Sequence, residues 1–459
     1  MKRDITQLFI EWKNRKNRKP LLIRGARQVG KTYAVEDFAR QYYANYVKVN
    51  LEEKPGLKRL FVNMDPKLIT EELSVVYNTD ISPGQTLLFI DEIQVSPEAL
   101  LSLRYYYEQM PELHVIAAGS LLDHTLNEMK TPMPVGRVEF CHMHPMSFME
   151  FLQALGEDKL IDYIERYSFD KGIGQAIHEK ALNLLRYYLF IGGMPEAISN
   201  YIEYQKLNEI ERIQSTILTS FQYDFAKYGS RSQQQHLMNA MKYVGQHPCS
   251  RIKYVKIDPD SRAATVKEAL HKLVLSRIIH RVRHSSSPGV PLSKHSRDDI
   301  FKALFLDIGL SNSLNHIQLT DPTKILTINE GSMAEQFAGQ ELLTLQAPYS
   351  DPDLYYWTRL EKSADAEVDF LLQHNNTIYP VEVKAGKMGK LKSLHVYLFE
   401  KKLATAIRLN TDLPSLGNFS VKVRSGNQEG EIQYKLLSLP LYLISQIPRL
   451  LDSVQQDAG

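Results

Sequence analysis

The chain has 459 residues, of which 43% are hydrophobic and 24% are charged, the composition of an ordinary globular protein. This length is too great for one core and predicts about three domains. No apolar run approaches the roughly 20 residues of a membrane span, and the first residues lack the apolar region of a secretory signal. Two cysteines, Cys141 and Cys249, offer neither a disulfide framework nor zinc spacing. We expect a cytoplasmic protein with no membrane partner.

The first motif is a glycine-rich loop between an apolar strand at 21–23 and a helix at 32–39. It reads Gly25, Ala26, Arg27, Gln28, Val29, Gly30, Lys31 and Thr32. Such a loop directs backbone N–H groups and the positive end of a helix at the phosphates of a nucleoside triphosphate. Lys31 is expected to reach the outer phosphates, and Thr32 to ligate Mg²⁺. The pattern predicts that the chain binds ATP or GTP with magnesium.

A second apolar strand, over 86–94, carries two adjacent acids, Asp91 and Glu92. Four consecutive apolar residues before them predict a strand that is covered on both faces, as in a parallel sheet. Open α/β sheets bind ligands at the carboxyl ends of their strands. Asp91 is therefore expected to hold Mg²⁺ through its water shell, and Glu92 to orient and deprotonate the attacking water.

Two further polar residues follow apolar segments in the same region. Ser120 ends a third buried strand over 114–120 and either contacts the γ-phosphate or the attacking water, or caps the next helix. Arg137 follows a glycine before a strand at 138–141 and either reaches a phosphate or forms a surface ion pair. An arginine that reaches a neighbour's phosphate requires a homo-oligomer.

Between 145 and 223 the apolar residues recur three and four apart, which predicts helices, for example over 146–155 and 178–189. The sequence Gly-Gly-Met-Pro at 192–195 ends one helix and starts another. We expect a helical lid on the nucleotide site. A passive spacer is the alternative.

A basic segment follows, in which residues 242–299 hold twelve Lys and Arg against five acids, a net charge of +7, while the rest of the chain carries −5. This asymmetry predicts a polyanionic partner, most often nucleic acid, although a solvated surface gives the same pattern. A helix at 264–274, a strand at 278–282, a Ser-Pro-Gly loop and a segment at 303–307 predict a winged helix. That module either grips DNA or contacts protein.

The last part of the chain combines a helix with strands that carry acids. The helix at 331–343 places Glu335 on a mostly apolar face, where a carboxylate is costly unless a metal or a lysine accompanies it. The strand at 366–372 directs Glu367 and Asp369 to the side opposite its apolar residues. We therefore expect these acids to face a common partner.

The next strand, over 378–384, places Glu382 and Lys384 on one face, and a hairpin turn at 374–377 makes it the neighbour of the strand with Asp369. The two carboxylates and the Val383 carbonyl are expected to form a hard oxygen site for Mg²⁺ or Mn²⁺. Lys384 is then placed to orient a water and to neutralise charge on a phosphate. An exposed Glu-Val-Lys pair at a hairpin edge is the alternative.

Together these motifs resemble a family of bacterial and archaeal AAA+-like ATPases with a C-terminal restriction-endonuclease-like domain, and the likeness extends over most of the chain. It is carried by Gly25–Thr32, Leu88–Gln94, Gly119-Ser120, Gly136-Arg137, Gly192–Pro195, Gly331–Leu343, Glu367–Asp369 and Glu382–Lys384. The resemblance implies ATP and Mg²⁺ as ligands. It also implies that Glu335, Asp369, Glu382 and Lys384 match the PD-(D/E)XK metal-binding set, although Val368 replaces the proline in that name.

We therefore expect an α/β protein with a doubly wound, AAA+-like parallel P-loop sheet over 1–145. A helical lid over 146–223, a winged-helix-like domain over 224–322, an α/β nuclease-like domain over 323–440 and a tail over 441–459 are expected to follow. The first functional hypothesis is a DNA-associated ATPase whose C-terminal domain cuts phosphodiester bonds with Mg²⁺. The second is a nucleotide-driven switch whose C-terminal domain binds nucleic acid or protein without cleavage. The third is a protein-remodelling ATPase.

Overall fold

The computed structural model describes residues 1–128, 136–317, 325, 330–359, 366–384, 391–426 and 428–456. The chain divides into two compact units: the first is Met1–Met146, His271–Ile278 and Ala347–Pro352, and the second is Ser147–Leu270, Ile279–Gln346 and Asp353–Gly459. The boundary predicted at 322–323 lies outside the described residues. So do Pro134 and Val135, the two residues before Gly136 and Arg137. The division into five domains stays a prediction.

The first unit contains a parallel sheet. Its strands are Leu21–Arg24 (β1), Asn45–Asn50 (β2), Thr86–Asp91 (β3), His114–Gly119 (β4) and Glu139–His142 (β5), in the order β2-β3-β4-β1-β5. Its helices are Ile5–Asn14 (α1), Lys31–Tyr42 (α2), Pro66–Tyr77 (α3), Pro97–Gln109 (α4) and Leu122–Glu128 (α5). Every residue of β3 and β4 is buried, as expected for strands covered on both faces. The five-stranded parallel sheet confirms the predicted P-loop-like architecture.

The second unit begins with helices. They are Phe148–Ala154 (α6), Asp158–Glu165 (α7), Gln175–Ile191 (α8), Pro195–Tyr204 (α9), Leu207–Asp224 (α10), Arg231–Gln246 (α11), Tyr254–Ile257 (α12) and Ala263–Leu275 (α13), the last of which passes into the first unit at His271. The predicted break between α8 and α9 is confirmed. Gly192 has φ +79°, and a Cβ there would lie 2.2 Å from the Asp307 carboxylate, which accepts a hydrogen bond from the Gly193 N–H. Only glycine fits this crossing.

The rest of the second unit contains a mixed sheet. Its strands are Ile279–Ser285 (β6), Ser296–Phe305 (β7), Leu354–Thr358 (β8), Glu367–His374 (β9), Thr377–Val383 (β10), Thr405–Asn410 (β11), Ser415–Ser425 (β12) and Gln428–Pro440 (β13). Their order is β12-β13-β11-β10-β9-β8-β6-β7. The helices that accompany them are Ile308–Leu314 (α14), Glu330–Thr344 (α15), Lys392–Lys401 (α16) and Ile447–Gln456 (α17).

The hairpin predicted as a wing belongs to this larger sheet. β6 pairs with β7 in antiparallel fashion and with β8 in parallel fashion, so the hairpin forms one end of the eight-stranded sheet. The predicted helix is confirmed as α13, and its apolar face is buried at Val266, Ala269, Leu270 and Leu273. The winged-helix prediction is therefore wrong for the hairpin. Its pairing with a strand far along the chain leaves no signal in the local sequence pattern.

The turn predicted between β9 and β10 is also present. Asn375 and Asn376 both have positive φ, 44° and 61°, the pair of left-handed residues that a tight type I′ hairpin requires. The turn places Phe370 opposite Val381 and so brings Asp369 close to the end of β10. In the part of the chain described here, no helix is both long and apolar enough to cross a membrane.

Candidate functional site

The glycine-rich loop connects β1 to α2 and closes tightly on neighbouring backbone. A Cβ at Gly25 would lie 2.4 Å from the Met143 carbonyl oxygen, and Gly30 precedes α2 with φ +90°. Both positions therefore require glycine. The Lys31 ammonium donates to the carbonyl oxygens of Gly25 and Ala26 at 2.9 and 2.7 Å. Burial lowers the pKa of Lys31 to about 8. The loop thus places a poorly solvated cation at the start of a helix.

The loop is also held from outside by a residue that the sequence patterns did not single out. Arg3 is buried, and its guanidinium donates to the Val29 carbonyl at 2.7 Å and to the His144 carbonyl at 2.8 Å. Charged hydrogen bonds of this kind are stronger than neutral ones. Arg3 therefore fixes the backbone of the loop before any ligand arrives.

The two residues predicted to share Mg²⁺ are in direct contact. The Thr32 hydroxyl donates to Asp91 Oδ2 at 3.0 Å. Burial, followed by the charge of Glu92, raises the pKa of Asp91 above its usual range. Lys48 of β2 lies 3.8 Å from the same Oδ2, a neighbour that became visible only with the pairing of β2 and β3. A hydroxyl and a carboxylate at this distance suit a small hard cation.

Glu92 follows β3 in a left-handed conformation, with φ +52°, which is uncommon for a residue other than glycine. Its Oε2 accepts hydrogen bonds from Gln94 at 2.6 Å and from Ser120 at 3.4 Å. Ser120 therefore contacts Glu92, and its predicted contact with the γ-phosphate or the attacking water stays a prediction. Gln94, which is buried, was not predicted to have a role of its own.

Arg137 forms the surface ion pair that was the alternative to a phosphate contact. Its Nε lies 2.9 Å from Glu108 Oε1 of α4, and about half of its side chain is exposed. A surface pair of this kind is weak because water and salt screen it. The functional role of Arg137 stays a prediction.

The loop therefore fits a magnesium-bound nucleotide. A Cβ at Gly25 would fill the space inside the loop, the Lys31 ammonium donates to a carbonyl oxygen of the loop, and the Thr32 hydroxyl donates to Asp91. Glu92 directly follows Asp91, the last residue of β3. These are the positions that phosphate binding, metal ligation and activation of water require.

The second unit brings together the acids predicted for the nuclease-like site. Asp369 Oδ2 accepts a hydrogen bond from the Val383 N–H at 2.8 Å, and Lys384 Nζ lies 2.7 Å from Glu382 Oε1. Asp369 and Glu382 are both buried, which contradicts the alternative of an exposed edge pair. Glu382 Oε2 is also buried and has no hydrogen-bond partner among the described residues.

A lysine that the sequence patterns did not single out lies among these acids. Lys302 of β7 is 2% exposed, and its ammonium is 2.5 Å from Glu367 Oε1, 3.5 Å from Glu335 Oε2 and 3.7 Å from Asp369 Oδ1. We call Lys302, Glu335, Glu367, Asp369, Glu382 and Lys384 the carboxylate cluster. Lys302 reaches it because the β6–β7 hairpin belongs to the same sheet as β9 and β10.

The charges in the carboxylate cluster influence one another strongly. Burial, together with the charge of Asp369, raises the pKa of Glu335 and of Glu382 to about 7. Burial alone would lower the pKa of Lys302, but Glu335, Asp369 and Glu367 outweigh it and raise that pKa above its usual value. Lys302 is therefore a permanent cation inside the cluster.

The cluster does not fit a metal ion in this arrangement. In the part of the chain that the structure describes, no group of three or more His, Cys, Asp or Glu side chains is arranged to hold one. The acids expected to ligate Mg²⁺ or Mn²⁺ lie instead beside the ammonium groups of Lys302 and Lys384. Mg²⁺ requires oxygen ligands at about 2.0–2.1 Å in octahedral geometry. Ligation by Glu335, Asp369 and Glu382 stays a prediction.

The basic segment is partly neutralised within the fold. Arg277 pairs with Asp123 at 2.6 Å, and Arg297 pairs with Asp299 at 2.6 Å. Other basic side chains of the second unit are exposed near α12 and α13. They are Lys253, Lys256, Arg262 and Lys267. The net charge of the segment therefore overstates what a polyanion would meet, and the exposed group is the remaining candidate surface.

Comparison with known families assigns the first part of the chain. Residues 17–152 match the model of an AAA domain. Residues 182–321 match a domain of unknown function (DUF8612), and residues 330–435 match another (DUF4143). Among curated proteins, none matches the chain by sequence. Together with the parallel sheet and the loop, the first match identifies residues 17–152 as an AAA domain.

The solved structures that match the chain have low sequence identities and low TM-scores. The ORC2 protein of Aeropyrum pernix, in ADPNP and ADP complexes, is 12% identical with a TM-score of 0.33, and the match covers 68% of this chain and 91% of that one. The AMPPCP-bound DnaA of Aquifex aeolicus is 14% identical with a TM-score of 0.26, covering 58% and 86%. The ORC1 protein of Aeropyrum pernix in complex with DNA is 10% identical with a TM-score of 0.27, covering 68% and 90%.

Proposed function

We propose that the chain binds ATP with Mg²⁺ at the glycine-rich loop and hydrolyses it there. The observation that carries this proposal is the order of side chains at the ends of β3 and β4. Thr32 bonds to Asp91, and the next residue, Glu92, bonds to Ser120. A metal ligand and a general base are thus adjacent at the carboxyl edge of the sheet, where open α/β sheets bind ligands.

Each residue has a separate role in this proposal. Lys31 binds the outer phosphates, and Thr32 and Asp91 hold the magnesium ion, which neutralises phosphate charge when it is bound. Glu92 accepts the proton of the attacking water. Gln94 donates to Oε2 of Glu92 at 2.6 Å, so the other carboxylate oxygen, Oε1, is the one that accepts the proton.

The proposal is tested by ATP hydrolysis assays on the wild type and on Glu92→Gln. The substitution removes the base but keeps the shape of the side chain, so we expect ATP binding to persist while turnover falls by about 10²–10⁴-fold. A wild type that binds ATP but never releases phosphate, with every nucleic acid and protein fraction added, contradicts the proposed hydrolysis.

We also propose that Arg137 acts in trans in a homo-oligomer. Its half-exposed guanidinium forms a surface ion pair with Glu108, which a stronger anion can displace. Mixing inactive Arg137→Ala with inactive Lys31→Ala subunits is then expected to restore part of the hydrolysis. Mixtures that remain as inactive as their components contradict the trans arrangement.

Association with nucleic acid, DNA in the first instance, is the next part of the proposal. It is supported by the exposed basic group Lys253, Lys256, Arg262 and Lys267. Contacts between lysine or arginine and phosphate release counterions, so binding must weaken steeply with salt. Fluorescence anisotropy of labelled duplex, branched and single-stranded DNA over a salt series tests it. Affinity that does not change with salt contradicts a phosphate-binding surface.

For the C-terminal part we favour the nucleotide-driven switch over cleavage. A restriction-endonuclease-like domain is supported by the proximity of Glu335, Asp369, Glu382 and Lys384, but Lys302 and Lys384 already pair with these acids. We therefore expect binding of nucleic acid or protein without Mg²⁺-dependent cleavage. A panel of branched, nicked and single-stranded DNA and of RNA, with and without ATP and Mn²⁺, tests this. Nicking that is lost in Lys384→Ala would establish the nuclease instead.

A further inference from the structure

The four acids of the carboxylate cluster lie near three cations, the two lysines of the cluster and the partly exposed Arg251. Its acids are Glu335, Glu367, Asp369 and Glu382, and the cations near them are Lys302, Lys384 and Arg251. A group of buried carboxylates needs compensating charge, which metal ions or basic side chains can supply. Here the basic side chains already supply most of it.

Lys302 holds the central position among these cations. It lies on the strand β7 and contacts acids from two other elements, Glu335 from α15 and Glu367 and Asp369 from β9. By contrast, the ion pair of Lys384 is with Glu382, 2.7 Å away, and Arg251 is 3.8 Å from Glu367. The ammonium of Lys302 is thus the one that bridges separate parts of the sheet and helix.

The surroundings of Lys302 hold its side chain in place. Its ammonium lies 5.3 Å from the ring centre of Tyr356, a fully buried residue of β8, and a cation over an aromatic face gains further stabilisation. The backbone on either side is fixed as well, because Lys302 pairs with Val282 in the hairpin and forms a bridge with Arg251. A side chain held in this way does not leave the cluster without a cost.

We propose that Lys302 is a built-in substitute for the metal ion, a fixed ammonium that seals the carboxylate cluster against divalent cations. Glu335, Glu367 and Asp369 direct their oxygens at it, and a divalent cation placed among them would meet its positive charge at close range. The inference deepens the proposed non-cleaving role of the C-terminal part. It does not depend on ATP hydrolysis.

The proposal predicts that removing Lys302 creates a metal site. The substitution Lys302→Met keeps the length and bulk of the stem and removes the charge. The double variant Lys302→Met/Glu367→Gln removes the closest acid together with the lysine, so the net charge of the cluster is unchanged and folding is less disturbed. It leaves Glu335, Asp369 and the unpartnered oxygen of Glu382 available to a cation.

The test is a titration of the full chain with Mn²⁺ in the absence of nucleotide. The electron paramagnetic resonance signal of free Mn²⁺ measures how much of the ion is bound. The site at Thr32 and Asp91 is the same in all variants and cancels in the comparison. We expect the Lys302 variants to gain one site with affinity at least about tenfold above any in the wild type, since like-charge repulsion at such short range is strong. Lys422→Met, which removes an exposed lysine of β12, is the matched control and is expected to gain nothing.

Two outcomes overturn the proposal. The first is a folded Lys302→Met/Glu367→Gln protein that gains no Mn²⁺ site. The second outcome needs no lysine variant. It is that the wild type binds Mn²⁺ and that the variant Asp369→Asn/Glu382→Gln does not, since the cluster would then already hold a metal ion with Lys302 in place. Cleavage of DNA is measured separately, so a failure of the non-cleaving role and a failure of the lysine substitute remain distinct results.

Discussion

ATP binding is expected to take up a proton at mildly alkaline pH. Lys31 is buried against the carbonyl oxygens of Gly25 and Ala26, and this burial lowers the pKa of its ammonium to about 8 in the empty loop. Phosphate oxygens favour the charged form, so a bound triphosphate raises that pKa well above 8. A protein molecule in which Lys31 is neutral must therefore take up a proton on Lys31 when ATP binds.

The size of the effect follows from the pKa. At about pH 8 half of the empty loops carry a neutral lysine, so binding takes up about 0.5 proton, against about 0.1 at pH 7. By the same linkage, ATP affinity falls about tenfold between about pH 7 and pH 9, which corresponds to about 1.4 kcal/mol. Calorimetry in buffers of different ionisation enthalpy measures the proton count directly.

The substitution Lys31→Arg is the control for this prediction, because a guanidinium stays charged throughout the range. Proton uptake near pH 8 should disappear in this variant even where its ATP affinity is reduced. A binding enthalpy that is independent of buffer at pH 8 in the wild type refutes the reasoning. So does equal proton uptake in Lys31→Arg, since the proton would then come from another group.

Three further predictions concern other parts of the molecule. Gln94→Leu removes the donor to Glu92 Oε2 and is expected to change the rate of ATP hydrolysis, with little effect on ATP affinity measured by calorimetry. Combined charge removal at Lys253, Lys256 and Arg262 is expected to lower the salt slope of DNA binding, by about one unit for each phosphate that the surface no longer neutralises. The thermal midpoint of the wild type is expected to fall relative to that of Glu335→Gln/Glu382→Gln as pH rises from about 5 to about 8. In this range the folded protein still holds protons on Glu335 and Glu382, whose pKa is raised, whereas the unfolded chain has released them, so a higher pH favours unfolding.

Each of these has a control and a contradicting result. Gln205→Leu changes a surface amide of the second unit and should leave hydrolysis unchanged, whereas equal rates in the wild type and Gln94→Leu would remove any role for Gln94. Lys422→Met should leave the salt slope unchanged, and an unaltered slope in the triple variant excludes that surface. A double Gln variant whose midpoint follows the same pH curve as the wild type shows that the two carboxyls titrate normally.

The candidate nucleotide site was largely predictable from sequence because its parts lie within short segments. Gly25–Thr32 forms one turn between consecutive elements, and Asp91 and Glu92 end a strand whose apolar run is visible by itself. Ser120 directly follows a neighbouring buried strand and was expected either to contact the γ-phosphate or the attacking water, or to cap the next helix. What the pattern did not give is the contact of Ser120 and Gln94 with Glu92, since it depends on side-chain directions after the strands end.

The carboxylate cluster was predictable only in part. The hairpin of β9 and β10 is local and has an Asn-Asn turn, so the proximity of Asp369 and Glu382 followed from alternation. Lys302 was missed because β7 was assigned to a separate winged helix. Its place in the cluster depends on the pairing of β6 with β8, a long-range contact without a local signal.

The central claim is that a triphosphate binds at the loop before α2, and calorimetric titration of ATP with Mg²⁺ tests it most directly. The wild type is expected to bind ATP at one saturable site, and Lys31→Ala, which loses the buried ammonium, to bind much more weakly. Wild-type protein that gives no binding heat with ATP or GTP, or binds them as well when Lys31 is alanine, would contradict the claim.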